Sequence, residues 1–172
     1  MAACMSADME NTDKVVILLN EANQMELTVQ HPDINLCQYK FLATDEKNIV
    51  YGLGAIKGIG KPVIEAIIEA REKGGAFTDL YDLCARVDVK KVNRRALEAL
   101  IRSGALDDLG VHRASLVASV DLALDAANQK HRSAAAGQTD FFGISAPQET
   151  MQTYQNVARW KKEDLLLSLI HI

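Results

Sequence analysis

The stretch from Tyr51 to Arg71 constrains the fold more than any other, because four glycines precede a strongly patterned helix. These glycines stand at positions 52, 54, 58 and 60, and Pro62 follows where a helix tolerates proline, in its first turn. Gly74 and Gly75 then end the helix. Exposed amides in such a turn attract an anion, and the helix dipole adds to the attraction. The anion could belong to a dinucleotide or to a nucleic-acid backbone.

A dinucleotide site is disfavoured by the residues after the glycine-rich loop. Residues 49–51 read as a strand that enters this loop, which imitates a phosphate-binding motif. A helix from Gly54 would nevertheless be broken by Gly58, Gly60 and Pro62. No second strand with an acidic end comes about 20 residues later, as that fold requires. A nucleotide-dependent oxidoreductase is therefore the weaker interpretation.

A hairpin between two helices accounts for the same glycines. Gly58 and Gly60 can adopt the positive φ that a tight turn needs, while Ile59 inserts into the core. Amides at the start of the second helix can hold a phosphate without touching a base, and Lys57 and Lys61 add positive charge. This helix-hairpin-helix arrangement predicts sequence-independent DNA binding. A purely structural helical turn is the alternative.

A second helix-turn-helix unit follows over residues 80–101. Its turn is basic, and Asn93 stands where the first turn has a glycine, so this copy is degenerate. The basic cluster suits a phosphate backbone, and a basic face exposed to solvent is the alternative. The residues predicted to contact DNA are Lys57, Gly58, Ile59, Gly60, Lys61, Lys90, Lys91, Asn93, Arg94 and Arg95.

The first fifty residues are predicted to form a helix and a small β-hairpin. Asn11 or Thr12 caps the helix, whose apolar positions end near Gln24. A polar turn at residues 45–48 joins the last two of three strands. The strands are predicted at residues 27–30, 37–41 and 49–51.

The rest of the chain is predicted to be helical. Thr78 caps a short helix and Asn93 another, and a longer helix runs over residues 112–129. Residues 131–137 are small and polar, which predicts an exposed linker, and residues 151–167 are predicted to be helical again. The predicted fold class is mainly α with a small N-terminal β-hairpin and a tandem helix-hairpin-helix module.

Charge is distributed unevenly along the chain. The net charge of −4 by itself argues weakly against a nucleic-acid-binding protein. Residues 1–50 carry 3 basic and 8 acidic side chains, net −5, and residues 114–172 carry 5 and 6, net −1. Residues 51–113 carry 11 basic and 9 acidic side chains, net +2. The glycine-rich segment is thus the basic one.

Cysteine use and hydropathy exclude several classes of protein. Cys4, Cys37 and Cys84 are scattered, which suits reduced thiols in a cytoplasm and not a disulfide framework. No Cys/His cluster has metal-ligand spacing. No apolar run is long enough to span a membrane, and the N-terminus has no secretory signal. We predict a cytoplasmic chain with no membrane partner.

The glycine-rich stretch and the second unit resemble the alpha subunit of bacterial DNA polymerase III, the C-family replicative polymerases. Several motifs occur in that family's order, and together with the opening MAACM the similarity covers residues 1–145. The matching stretches are IVYGLGAIKG at 49–58, IEAIIEAR at 64–71, DLCAR at 82–86, KVNRR at 91–95 and SGA at 103–105.

The resemblance implies an internal fragment of a DNA-directed DNA polymerase. The family's catalytic carboxylates, which hold two metal ions for phosphoryl transfer, would lie upstream of Met1, and no Asp-x-Asp pair stands in residues 1–172. The fragment is therefore expected to bind DNA and not to extend it. The parent polymerase implies Mg²⁺, with no cofactor expected in this segment.

The resemblance also accounts for two adjacent phenylalanines. The sequence QTDFF at 138–142 is similar to the family's sliding-clamp-binding motif, in which two hydrophobic anchors fill a pocket and a glutamine sets the register. Phe141 replaces the commoner Leu or Met. The clamp-binding residues implied are Gln138, Asp140, Phe141 and Phe142.

These inferences divide the chain into four segments. Residues 1–50 are expected to end a fingers domain, and residues 51–130 to form the tandem DNA-binding module. Residues 131–150 form a linker with the clamp-binding motif, and residues 151–172 are the truncated start of a next segment with a non-native tail. The predicted partners are duplex primer-template DNA, the sliding clamp and other polymerase III holoenzyme subunits. The alternative is a helical module that docks proteins without affinity for DNA.

Overall fold

The computed structural model describes residues 1–88, 90–135 and 154–168. The part of the chain that it describes is mainly α, with one small sheet, as predicted. The helices are α1 (Ala2–Ala7), α2 (Thr12–Gln24), α3 (Lys61–Gly74), α4 (Leu80–Arg86), α5 (Arg94–Arg102), α6 (Arg113–Ala135) and α7 (Lys162–Ser168). The strands are β1 (Thr28–Val29), β2 (Leu42–Ala43) and β3 (Asn48–Val50), and short 3-10 turns occupy Leu53–Ala55 and Asp107–Leu109.

The sheet has three strands, and two of them form a hairpin around the turn predicted at residues 45–48. β3 pairs antiparallel with β2, with Leu42 opposite Val50, and parallel with β1, so the strand order is β1-β3-β2. Asp45 closes the hairpin turn, because its carboxylate accepts hydrogen bonds from the Asn48 side chain and from the Lys47 and Asn48 amides, each at 2.8 Å. These hydrogen bonds, the Asn48 side chain first, lower the pKa of Asp45.

The strand predicted at residues 37–41 is absent. Burial alternates there as expected, with Cys37 and Phe41 inside, but the backbone forms only a single bridge, between Gln38 and Gly52. The neighbouring backbone is the 3-10 turn Leu53–Ala55, whose amides donate to the carbonyls of residues 38 and 39. A helical turn cannot continue a β-ladder. The alternating burial of residues 37–41 therefore reflects how their side chains pack and is not evidence of a strand.

Local capping chemistry defines most helix starts correctly. The Asn11 side chain accepts a hydrogen bond from the Lys14 amide at 3.2 Å and begins α2 as predicted. The predicted cap Thr78 is wrong by one residue. Asp79 caps α4 instead, because its carboxylate accepts from the Asp82 amide at 2.8 Å, while the Thr78 hydroxyl donates to Asp79.

Residues 131–135 were predicted to belong to a linker and are helical instead, since α6 continues to Ala135. Residues 129–135 contain neither glycine nor proline, and alanine, lysine and arginine favour a helix. Nothing in the local sequence therefore ends the helix at residue 129. This extension places His131 and Arg132 on α6.

Residues 154–161, the described part of the segment before α7, are not helical, although helix was predicted from residue 151. Two buried serines one turn apart on α6 hold its backbone. The Ser115 hydroxyl donates to the Gln155 carbonyl at 2.7 Å, and the Ser119 hydroxyl accepts from the Gln155 amide at 2.9 Å. The Tyr154 hydroxyl accepts from the Leu80 amide at the start of α4, at 3.2 Å. These tertiary hydrogen bonds replace those that a helix would make within itself.

The core runs without a break from Met5 to Ala127. Residues 33–37 join its two ends, because the Asn35 side chain both accepts from and donates to the Phe77 backbone, at 2.7 and 3.0 Å. Arg71 donates to the carbonyls of Ile34 and Cys37, each at 2.9 Å. The predicted boundary at residue 50 therefore crosses one buried cluster, and the division into segments stays a prediction.

Arg86 ties the end of α3 to α4. Its guanidinium donates to the carbonyls of Ala70 and Gly75 at 2.7 Å, and to the Asp82 carboxylate at 2.9 Å. It also lies 4.5 Å from the centre of the Phe77 ring. Only 21 % of the side chain is exposed. The planar fork of arginine is what allows one side chain to reach all of these acceptors.

None of the helices described is both long enough and apolar enough to cross a bilayer.

We predict that Arg86→Lys lowers the free energy of unfolding by about 2 kcal/mol, because an ammonium keeps the charge and loses most of the charge-assisted hydrogen bonds. Urea unfolding followed by circular dichroism measures the change. Arg95→Lys is the matched control, since Arg95 is exposed and makes no ion pair among the described residues. An equal loss in both variants would contradict the role given to Arg86.

Candidate nucleic-acid interface

The first hairpin is built as the glycines predict, with one difference. The 3-10 turn Leu53–Ala55 leads into a tight turn at Lys57 and Gly58, and Gly58 has φ +88°. Ile59 is 8 % exposed and inserts into the core. Gly60 is the N-cap of α3, with φ −82° and ψ 155°. The positive φ predicted for Gly60 is therefore wrong, because an N-cap residue has extended backbone.

The start of α3 presents free amides. Among the described residues, the amides of Gly58, Gly60 and Lys61 donate to no protein acceptor. Gly60 has no side chain that could cap these groups, so they face solvent at the positive end of a 14-residue helix. This arrangement suits a phosphate oxygen.

The second hairpin repeats the first at its N-cap and differs before it. Val92 is fully buried and takes the place of Ile59. Asn93 caps α5 with φ −82° and ψ 170°, close to the backbone of Gly60, and its side chain accepts from the Ala96 amide at 3.0 Å. Lys91 takes the place of Gly58, and its amide donates to the Asp88 carbonyl at 2.9 Å. Asparagine thus replaces glycine without strain. The equivalent amide of the first hairpin, that of Val63, donates instead to the Gly60 carbonyl at 3.0 Å.

The predicted cations fall into two groups. Lys57, Lys90, Lys91 and Arg95 are exposed, and among the described residues no carboxylate lies within 4 Å of them. The remaining two, Lys61 and Arg94, are engaged with other side chains.

Lys61 and Arg94 both occupy the first position of their helix and both have carboxylate neighbours. The Lys61 ammonium lies 3.6 Å from Glu65 and 5.7 Å from the centre of the Tyr39 ring. Arg94 bridges Glu98 at 2.7 Å and Asp121 of α6 at 2.9 Å. The Glu98 hydrogen bond, followed by the Asp121 charge, raises the pKa of Arg94. These pairs are exposed, so a phosphate could replace the carboxylates at modest cost.

Both hairpin turns lie along the same polar edge of α3. Lys61 pairs with Glu65. The Lys73 hydrogen bond lowers the pKa of Glu69, one turn further on, and the charge of Lys91 also lowers it. One helical turn advances about 5.4 Å along the axis. Lys91 thus acts electrostatically on the edge of α3 that also carries Lys61, although 30 residues separate the two lysines in sequence.

The sequence pattern missed two basic residues beside the second hairpin. His131 and Arg132 of α6 line a cavity of about 530 Å³ together with Lys90 and Asp88 of the turn. His131 and Arg132 come three and four residues after Asn128, so in a helix all three lie on one face. The sequence could have shown this if the predicted helix had been extended past residue 129.

The predicted clamp-binding residues Gln138, Asp140, Phe141 and Phe142 lie outside the described residues. The described residues on either side of this segment are Ala135 and Tyr154. Ala135 is the end of α6, and the Tyr154 hydroxyl accepts a hydrogen bond from the Leu80 amide of α4. The segment that carries the motif thus begins and ends on the two-hairpin body.

The described residues offer no metal site, and the two buried thiols are not activated. No three or more His, Cys, Asp or Glu side chains within the described ranges come together in a group that could hold a metal ion, so the Mg²⁺ implied by resemblance does not fit among them. Burial raises the pKa of Cys84 to about 12 and also raises that of Cys37. Both thiols are protonated at neutral pH and belong to the core.

The space beside the first two glycines is filled by protein. A Cβ at Gly52 would lie 2.7 Å from the Phe41 amide nitrogen, and one at Gly54 would lie 2.8 Å from the Tyr39 carbonyl oxygen. A dinucleotide loop keeps such space open for a pyrophosphate. The geometry gives the dinucleotide interpretation no support.

Comparison with known families agrees with the two hairpins. The family described as helix-hairpin-helix motif matches residues 26–116, which is just over half of the chain and includes both turns. The chain belongs to this helix-hairpin-helix family. The match also includes the small sheet, so the family unit begins before the module predicted from residue 51.

Curated relatives of the chain are much longer proteins. It is 56 % identical over 95 % of its length to "DNA polymerase III subunit alpha" of Vibrio cholerae, and 53 % identical over 96 % to that of Escherichia coli strain K12. The protein of the same description from Pseudomonas aeruginosa is 45 % identical over 94 % of the chain. The chain spans 14 % of the length of the first two relatives and 15 % of the third.

We predict that Gly58→Ala destabilises the fold by about 1–2 kcal/mol, because an L side chain is strained at φ +88°. The new Cβ meets nothing within 4 Å, so the loss reports backbone strain and not a clash. Gly60→Ala is the matched control, since its φ is ordinary and its Cβ would lie 3.6 Å from the Pro62 Cδ. Thermal unfolding of both variants measures the difference, and equal midpoints would contradict the assignment of the turn.

Proposed function

We propose that the chain is a segment of a bacterial replicative DNA polymerase alpha subunit that grips duplex DNA and tethers the polymerase to the sliding clamp. The observation that carries the DNA part is the pair of helical hairpins whose turns place free amides and exposed cations on one edge of α3. The named relatives supply the replication context.

The two hairpins contact the backbone in different ways. The first contributes the open amides at Gly60 and Lys61, together with Lys57. In the second, the Lys91 amide that corresponds to Gly58 donates to the Asp88 carbonyl, and the main contribution is the side-chain charge of Lys90, Lys91 and Arg95. Neither mode reads a base, so binding is sequence-independent and falls steeply with added salt.

Nearby carboxylates moderate the grip. Glu65 and Glu69 lie on the same edge of α3 and pair with Lys61 and Lys73. They reduce the local positive potential, so this segment alone binds duplex weakly. Weak contacts suffice in a processive enzyme, because tethering keeps the local concentration of DNA high.

Catalysis belongs to other parts of the longer protein. The described residues have neither a carboxylate group for metal ions nor an activated nucleophile, so nucleotidyl transfer and its Mg²⁺ are assigned outside them. The segment by itself is expected to be inactive. Its cytoplasmic location and its contacts with other holoenzyme subunits are part of the same proposal.

The clamp tether rests on the QTDFF sequence and on its attachment points. The segment from residue 136 to residue 153 begins at the end of α6 and is held at its far end by Ser115, Ser119 and Leu80. Eighteen residues can extend to at most about 60 Å, so a motif within them can reach a partner beside the hairpins. A partner bound there acts at high effective concentration on the same duplex.

Protein docking without DNA affinity is the second candidate. It is favoured by the ion pairs of Lys61 and Arg94, because these pairs engage the cation at the start of the second helix of each hairpin. Clamp binding without any affinity for duplex would support this candidate.

We predict that the double substitution Lys57→Ala, Lys61→Ala weakens duplex binding about equally for all sequences and reduces the salt slope by about two, since each lost phosphate contact removes about 0.9. Fluorescence anisotropy of a labelled duplex of about 20 base pairs, titrated at several salt concentrations, measures both quantities. Lys40→Ala, Lys47→Ala is the control, with the same charge change on exposed lysines near the sheet. Binding that ignores salt, or no binding by the unchanged chain, would overturn the DNA proposal.

We predict that Gln138→Ala and Phe142→Ala each weaken binding to a bacterial sliding clamp at least about tenfold, as loss of a pocket anchor does. Surface plasmon resonance with immobilised clamp measures the affinity. Gln129→Ala and Leu122→Ala serve as controls, because both side chains are exposed on α6 outside the motif. If the controls lose as much affinity as the motif variants, the pentapeptide is not the tether.

A further inference from the structure

A groove with a basic wall lies between the second hairpin and the C-terminal part of α6. It encloses about 530 Å³ and is bounded by Lys90 and Asp88 on the hairpin side, and by Asn128, His131 and Arg132 on the α6 side. Arg86 and Val87 also line it.

The groove arises where the apolar stripe of α6 ends. Leu116, Val120, Ala123 and Ala127 follow one another at helical spacing and are buried in the core. The next turn of the same stripe carries His131, and Arg132 lies beside it. The face of α6 that packs into the core therefore turns basic at the level of the second hairpin turn.

The charges of the groove do not cancel. The Arg86 guanidinium is neutralised by Asp82 at 2.9 Å and faces its own carbonyl acceptors. Asp88 is one negative charge, and its carboxylate accepts from the Lys90 amide at 3.0 Å. Neither Lys90 nor Arg132 has a carboxylate within 4 Å in the described part of the chain. Two cations without an ion-pair partner among the described residues thus line the groove together with one carboxylate.

We propose that this groove receives a phosphate of the duplex backbone, with Arg132 and Lys90 as its cationic contacts and Asn128 and His131 as further polar partners. The inference rests on the proposed duplex binding and extends it from the hairpin turns to α6. A guanidinium on one wall and an ammonium on the other match a phosphate better than a neutral or positively charged ligand. The contact is to the backbone, so it adds affinity without sequence preference.

A structural role of the same residues is separable from binding. Cations near a helix C-terminus stabilise the helix dipole, so Arg132 could serve α6 alone. In that case its loss would lower the unfolding midpoint and leave the salt dependence of duplex binding unchanged.

Arg132→Gln tests the inference in the full chain, with a labelled duplex of about 20 base pairs as the probe. We expect binding about fivefold to tenfold weaker near 0.1 M salt and a salt slope lower by about one, as loss of one phosphate contact gives. Lys130→Gln is the matched control, because Lys130 makes the same charge change two residues away, is exposed and does not line the groove. It is expected to leave the salt slope unchanged.

The double variant Lys90→Gln, Arg132→Gln tests whether both residues hold the same phosphate. If they do, its loss of affinity is smaller than the product of the single losses, since contacting groups couple. Equal slopes for Arg132→Gln and Lys130→Gln would overturn the groove while leaving the hairpin grip intact. Absence of duplex binding by the unchanged chain would instead overturn the proposed function itself.

Discussion

The packing of α6 against the second hairpin is the interaction on which the arrangement of the candidate interface depends. α6 lies against both α4 and α5, and its buried stripe from Leu116 to Ala127 fills the space between them. Each large apolar side chain buried in this way contributes about 1.5–3 kcal/mol. Arg113 at the start of α6 adds a bidentate ion pair with Asp107, at 2.7 and 2.8 Å, and a hydrogen bond to the Arg102 carbonyl. The packing of α6 on α4 and α5 thereby fixes the position of the turn between these two helices.

The two hairpins show how one backbone plan supports different electrostatics. Gly60 and Asn93 share nearly the same N-cap backbone, yet only the asparagine caps its helix with a side chain. The Gly58 amide of the first turn has no acceptor among the described residues, whereas the Lys91 amide of the second turn donates to the Asp88 carbonyl. The second turn therefore relies more on lysine and arginine side chains. A sequence that looks degenerate by its missing glycine is thus structurally intact, because the position that requires positive φ is that of Gly58 and not that of Gly60.

Much of the fold could be predicted because its cause is local. The caps at Asn11 and Asn93 and the stop at Gly75 follow from side chains or backbone freedom within a few residues. The errors have distant causes. The segment at residues 37–41 lacks a strand because a 3-10 turn lies beside it, and residues 154–161 are not helical because serines of α6 hold their backbone. No local pattern contains that information.

The sequence by itself determined the order of the helices, the two turns and the concentration of basic residues around them. Their tertiary arrangement decided which charges are available. Arg94 donates a hydrogen bond to Asp121, 27 residues later, and the charge of Lys91 lowers the pKa of Glu69. Lys90 and Arg132 line the same groove, although they are 42 residues apart in sequence. Asp121 and Arg132 lie beside the second hairpin because α6 packs on α4 and α5. Electrostatic interaction depends on distance in space, which the chain order does not specify. The sequence therefore shows which residues are basic, and the fold decides which of them pair with a carboxylate.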